Sequence, residues 1–142
     1  MNETFLKRAA LPDYRFTLEL KVRDYECDTQ GIVNNAVYQN YLEHARHEFL
    51  LSVGLDFNRF TQEKVFLVVV RAELDYKTSL RSGDAFLIGL NLKRVSPIRF
   101  VFLQDIFRCS DLRLVLSART TGTALNEKGR PFLPPEFVAL MG

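Results

Sequence analysis

Asp28 stands where a polar, carboxylate-rich segment, Asp24 to Asn35, runs into the strongest helix pattern of the chain. A carboxylate just upstream of a helix start has two uses. By charge alone it stabilises the positive end of the helix dipole. Alternatively it acts as base or nucleophile toward an electrophile held by the unpaired N–H groups of the first helical turn. Those N–H groups are ready donors for a developing oxyanion. Asn34 and Asn35 are the candidate caps, because a short side-chain oxygen satisfies first-turn amides well. Position alone leaves both uses of Asp28 open.

The neighbouring candidates carry less. Asp24 and Glu26 share the segment and read as solvated or supporting charge, with a base role as the alternative. Cys27 adjoins Asp28, but successive side chains of an extended segment point to opposite faces, so the two do not serve one site. His44 and His47 fall on or beside the polar face of the helix, two or more turns beyond Asp28, and read as solvated surface. Arg81, in the turn before Gly83, suits a phosphate contact and support of that turn equally. Gly122, inside a long strand pattern, marks a bulge or a close approach. Cys27 and Cys109 have no metal-like spacing, and no metal or cofactor is expected.

The elements that must position these residues follow from periodicity. From Ala36 to Val53, apolar Tyr38, Tyr41, Leu42, Ala45, Phe49 and Val53 recur at three and four, one face of a helix that stops at Gly54. Phe16, Leu18, Leu20 and Val22 alternate with polar residues, a strand that delivers the chain to Asp28. Asp56 is placed to cap a short helix over 57–62. The run Val65–Val70 is continuously apolar and β-branched, which predicts a strand buried on both faces and continuing to Asp75. Strands are predicted over 85–95, 98–108 and 113–125, with turns at 78–83, 96–97, 110–111 and 126–129. Regular structure ends at 131–135, before a short terminal helix over 137–141. One long helix and about five strands with short, antiparallel connections predict an α+β domain in which a curved sheet wraps the helix. Phe and aliphatic residues on both parities of 98–107 predict burial on both sheet faces, hence a subunit interface.

The bulk composition narrows the class. The 142 residues suit one domain with a real core, with residues 1–12 as an N-terminal arm and 13–142 as the domain. Hydrophobic residues at 47% and charged residues at 25% are ordinary for a globular protein. A net charge of +2, with the basic residues dispersed, argues against nucleic acid. Met1 to Ala10 lacks the apolar core of a signal peptide, and no apolar run is long enough to span a membrane. A cytoplasmic protein with reduced thiols is expected.

Three segments carry a family resemblance over about Phe16 to Pro135. Asp28-Thr-Gln-Gly31-Ile-Val33-Asn-Asn35-Ala-Val-Tyr38 resembles the signature of hotdog-fold acyl-CoA thioesterases of the 4-hydroxybenzoyl-CoA thioesterase type. The plant plastid acyl-lipid thioesterases are similar, with a Gly-Val-Val-Asn-Asn-Ala-Val-Tyr run. Tyr76-Lys-Thr-Ser-Leu-Arg81-Ser-Gly-Asp84 resembles a second family pattern, with Ser79 where a proline is usual. Gly129-Arg-Pro131, followed by Leu133-Pro134, is the third.

The resemblance implies a single hotdog domain that hydrolyses an acyl-CoA or acyl-carrier-protein thioester. It casts Asp28 as the catalytic carboxylate and the backbone amide of Asn35 as the oxyanion donor. Some relatives carry His or Tyr at the position of Asn35. Gly31, Val33, Tyr38, Tyr41, Val69 and Arg81 are the expected substrate contacts, with Tyr38, Tyr41 and Val69 as walls of an apolar slot and Arg81 toward the CoA phosphates. It further implies a homodimer or dimer of dimers with the site at the seam. The rival readings are a hotdog dehydratase, whose His-containing motifs do not occur here, and a non-catalytic acyl-binding protein.

Overall fold

The structure, a computed structural model, describes residues 11–141. Of the arm expected over 1–12, only the last two positions fall among them. The sheet is built from β1 (Phe16–Lys21), β2 (Phe66–Tyr76), β3 (Ala85–Ser96), β4 (Arg99–Arg108), β5 (Leu114–Leu125) and the two-residue β6 (Pro131–Phe132). The helices are α1 (Asn35–Ser52), α2 (Phe57–Gln62) and α3 (Pro135–Leu140). The strand order is β1-β3-β4-β5-β2, with β6 on β5, and every pair is antiparallel. The sixth strand was not expected, because two residues carry no periodicity to read.

α1 lies on one face of the sheet, toward β1 and β3. Its N-terminal half buries Tyr38, Tyr41, Leu42 and Ala45 against Phe86, Ile88 and Ile106. Its C-terminal half buries Phe49 and Leu50 against Leu90, Phe102 and Phe137. Each such large apolar side chain contributes roughly 1.5–3 kcal/mol on burial. One helical position departs from expectation: Leu50, not Val53, completes the buried face. After Gly54, at φ +83, the chain reverses, and Phe60 of α2 joins Leu50 in the same cluster.

The apolar run Val65–Val70 is not buried on both faces. β2 is an edge strand, and Phe66, Val69 and Val70 are 43, 56 and 44% exposed. A bulge between Val69 and Arg71 leaves Val70 out of register with β5. An apolar run reads alike in a central strand and in an edge strand awaiting a cover, so composition alone does not separate them.

On β4 the two-sided burial is real, and part of it is satisfied within the chain. Phe100, Phe102 and Ile106 belong to the core under α1. On the other face Phe107 is buried, with the ring of Tyr14 packed edge-on against it at 6.3 Å. Gly122 proves to be a close approach as well as a neighbour of the bulge. A Cβ there would come within 2.6 Å of the Phe100 ring and 2.8 Å of the Val68 carbonyl.

Candidate active site

Between β1 and α1 the chain makes a 3-10 turn, Asp24–Glu26, and then a tight loop. The Asp28 N–H donates to the Ile32 carbonyl at 2.8 Å, and the Gly31 N–H donates to the Asp28 carbonyl at 3.0 Å. Gly31 closes this turn at φ +79, a conformation that a side chain disfavours. Oδ1 of Asp28 accepts from the Gln30 N–H at 2.8 Å, an Asx turn that fixes the carboxylate while the residue stays exposed. The far side of the loop is sewn to the 77–84 connection. Ile32 bridges Arg81, and the Val33 N–H donates to the Leu80 carbonyl at 2.9 Å.

The helix then starts one residue earlier than periodicity suggested. Asn34 is the N-cap, its Oδ1 accepting from the Ala36 N–H at 3.0 Å. Asn34, not Asp28, therefore performs the capping. Among the described residues the N–H of Asn35 has no acceptor. This open donor sits at the positive end of an 18-residue helix, where a negative charge is favoured. Asn35 lines a cleft of about 240 Å³ with Ile32, Val33, Tyr38, Tyr76 and Ser79. Asp28 stands on the loop outside these walls.

The two helical tyrosines are buried pegs, and Tyr38 is also a wall of the cleft. Tyr38 is 3% exposed, and its hydroxyl oxygen accepts from the Leu80 N–H at 3.1 Å. Tyr41 is 6% exposed, and its O–H donates to Oε1 of Glu26 at 2.8 Å. Burial pushes the Tyr38 hydroxyl above its ordinary pKa, although the Leu80 N–H pulls the other way. Tyr41 is pushed up by burial first and by the Glu26 carboxylate second. Both hydroxyls therefore stay protonated through the neutral range.

The remaining expected residues are spread around this centre. Arg81 is exposed. Its backbone N–H donates to Oδ2 of Asp84 at 2.9 Å, and its guanidinium has no hydrogen-bond or ion-pair partner among the described residues. Val69 lies in a different cavity, of about 190 Å³, between α1 and the free β2 edge. Arg46 reaches into that cavity and donates to Oε1 of Gln104 at 3.1 Å, and the buried Gln104 amide donates to the Leu42 carbonyl. Burial lowers the Arg46 pKa. Sequence reading missed this pair, because a lone Gln in an apolar strand gives no periodic signal. Of the two uses expected for Glu26, solvated or supporting charge, its burial at 9% exposed and its bond from Tyr41 fit the second. His47 is only half-exposed, its ring 4.3 Å from Phe57 and its Nε2 3.7 Å from Glu43.

Among the described residues no cluster of His, Cys, Asp or Glu is arranged to hold a metal ion, and no helix is long and apolar enough to cross a membrane. What the geometry offers is an open amide donor at a helix start, a cleft beside it and a carboxylate on the preceding loop. That set suits attack on a carbonyl.

A single long helix laid on one antiparallel sheet, its N-terminus open beside a carboxylate-bearing turn, is a hotdog domain. Residues 22–140 match the model of the Thioesterase-like superfamily, and the chain belongs to that family. It is 39% identical over 121 residues to the chloroplastic acyl-acyl carrier protein thioesterase ATL2 of Arabidopsis thaliana, covering 85% of this chain and 64% of that protein. The chain thus spans slightly less than two thirds of that relative's length. A hypothetical protein of Aquifex aeolicus superposes with a TM-score of 0.82 at 30% identity, over 89% of this chain and 99% of that one. A 1,4-dihydroxy-2-naphthoyl-CoA thioesterase of Synechocystis has the same fold, with a TM-score of 0.83 at 22% identity over 89% and 94% of the two chains.

Proposed function

We propose that this protein hydrolyses a thioester of an acyl group carried by CoA or by acyl carrier protein. The observation that carries the reading is the N–H of Asn35, without an acceptor among the described residues, at the start of α1, seven residues beyond Asp28 and on a residue that lines a cleft. In the direct route the Asp28 carboxylate takes a proton from water, and the hydroxide forms a bond to the thioester carbonyl carbon. The carbonyl oxygen becomes an oxyanion and accepts from the Asn35 N–H. The carbon–sulfur bond then breaks, the sulfur takes the proton, and a carboxylic acid and a thiol leave. In the nucleophilic route Asp28 itself attacks, and water hydrolyses the resulting anhydride. Gly31 and Val33 shape the loop, Tyr38 lines the cleft, and Arg81 offers a cation toward the carrier's phosphate.

The working unit is a homodimer or a dimer of dimers. Among the described residues β2 presents an unpaired edge with exposed Val69 and Val70, and a two-fold axis pairs such an edge antiparallel with its copy. The Tyr76 end of one β2 then meets the Phe66 end of the other. That arrangement sets the Asn35 cleft of one copy toward the Val69 cavity of its partner, so the acyl slot spans the seam. A cytoplasmic setting, with Cys27 and Cys109 as reduced thiols, belongs to the same proposal.

The purified full chain, given a panel of aromatic, short, medium and long acyl-CoA and acyl-carrier-protein substrates, should release thiol detectable with a chromogenic disulfide. Failure to release thiol from every member, with the acyl group still bound, would leave a non-catalytic acyl-binding protein. Sedimentation as a stable monomer at micromolar concentration would remove the dimer.

A further inference from the structure

We propose that Glu26 and Tyr41 are positioning residues, whose hydrogen bond holds the Asp28 loop in register with the helix start; this rests on the hydrolytic reading above. A carboxylate is rarely buried without partners. Glu26 has three. Its Oε1 accepts from the Tyr41 O–H and from the Arg23 N–H, both at 2.8 Å, and its Oε2 lies 3.6 Å from the Arg23 guanidinium. Its main-chain carbonyl accepts from the Asn34 N–H at 3.0 Å, and Asn34 is the residue before Asn35. Glu26 is therefore fastened to α1 twice, by side chain at Tyr41 and by backbone at the cap.

Tyr41 is suited to be the fixed end of this tie. Its ring is buried, 4.6 Å from Phe86 and 6.1 Å from Tyr38. One turn earlier, Tyr38 accepts from the Leu80 N–H and fastens the 77–84 connection in the same way. The bonds of Asp28 and Gly31 are internal to the loop, and residues 28–31 are exposed. The loop's place relative to Asn35 is thus set by its two ends, which the Cys27–Val33 bridge joins: Ile32 and Val33 on one side, and on the other Glu26, which Tyr41 alone fastens by side chain to α1. Catalytic groups displaced by about 1 Å lose on the order of 10²-fold in rate. A tie that fixes the separation of base and oxyanion donor should therefore act on kcat rather than on substrate affinity.

The test uses Tyr41→Phe, which deletes one hydroxyl and keeps the ring, and Glu26→Gln, which keeps both acceptor bonds at Oε1 and removes the charge. Two readouts are taken on the full chain: steady-state kinetics, and alkylation of Cys27 with Cys109 as the buried reference. Tyr41→Phe should lower kcat at least about 10-fold with KM within about twofold. It should also speed labelling of Cys27 several-fold while Cys109 stays slow. Glu26→Gln should retain most of kcat and the slow labelling of Cys27. Normal kcat and normal Cys27 labelling in Tyr41→Phe would overturn the proposal. So would a raised KM at constant kcat, which assigns Tyr41 to substrate binding, or Glu26→Gln as impaired as Tyr41→Phe, which gives Glu26 a role through its charge. Exposure of Cys109 alongside Cys27 would also overturn it, as general destabilisation. Absent activity in the unsubstituted chain would instead count against the hydrolytic reading, with Cys27 labelling still reporting on the tie.

Discussion

The hydroxyl of Tyr14 donates to Oδ2 of Asp105 at 2.6 Å, joining the segment that precedes β1 to the centre of β4. The same carboxylate accepts from the Ser117 hydroxyl at 2.7 Å, so three segments of the chain meet at one side chain. Beneath the Tyr14 ring lies Gly89, where a Cβ would come within 2.5 Å of the ring carbons. This contact covers the sheet face opposite α1. It accounts for part of the apolar surplus on β4 that suggested a subunit interface.

Tyr14→Phe should cost about 1 kcal/mol of stability, less than a fully buried bond to a charged acceptor because Tyr14 is only partly buried. Burial and, next, the hydrogen bond to Asp105 hold the Tyr14 pKa above its usual 10.0. A raised folded-state pKa means that the contribution is complete below the unfolded value and fades as pH rises toward the folded one. The difference in melting temperature between the two proteins should be constant from pH 7 to 9 and shrink above about pH 10. A difference that is flat beyond pH 11, or that grows there, would refute this account.

Asp28→Asn keeps size and hydrogen bonding at the Asx turn and removes negative charge and basicity. Because Asn34 already caps α1, the loss should fall on chemistry: kcat down at least about 10²-fold, KM nearly unchanged. A lower melting temperature with near-normal kcat would return the base role to Asp24.

Arg81→Ala should raise KM for a CoA substrate several-fold with little change in kcat, the pattern of uniform binding. The turn it occupies is held by its backbone N–H to Asp84, which the substitution leaves in place. An unchanged KM alongside a lowered melting temperature would make Arg81 a support of the turn and nothing more.

Gly122→Ala should destabilise by about 1–3 kcal/mol, the scale of a forced overpacking. The Phe100 ring at 2.6 Å is a side chain that can rotate away, but the Val68 carbonyl at 2.8 Å belongs to the backbone of the neighbouring strand and cannot. A melting temperature within 1 °C of the parent would show that the β2 bulge absorbs the methyl group.

Much of this protein was legible without coordinates, for a physical reason. Side-chain periodicity within one element is local, so the alternation from Phe16 and the three-and-four spacing from Tyr38 identified β1 and α1 to within a residue or two. The same locality located Asp28, Gly31 and Asn35 on a turn feeding a helix start, since a glycine at positive φ and an Asn cap announce themselves in the sequence. What sequence spacing does not carry is which distant segment a residue meets. Only the tertiary structure decided that Val69 and Val70 sit on a bare sheet edge rather than in the core, because an apolar run reads the same in both places. Only it decided that Glu26 is buried on Tyr41, that Tyr38 receives the Leu80 amide, and that Tyr14 covers β4. Those contacts join residues from 15 to 91 positions apart, and they exist because packing on the sheet brings segments distant in the chain side by side.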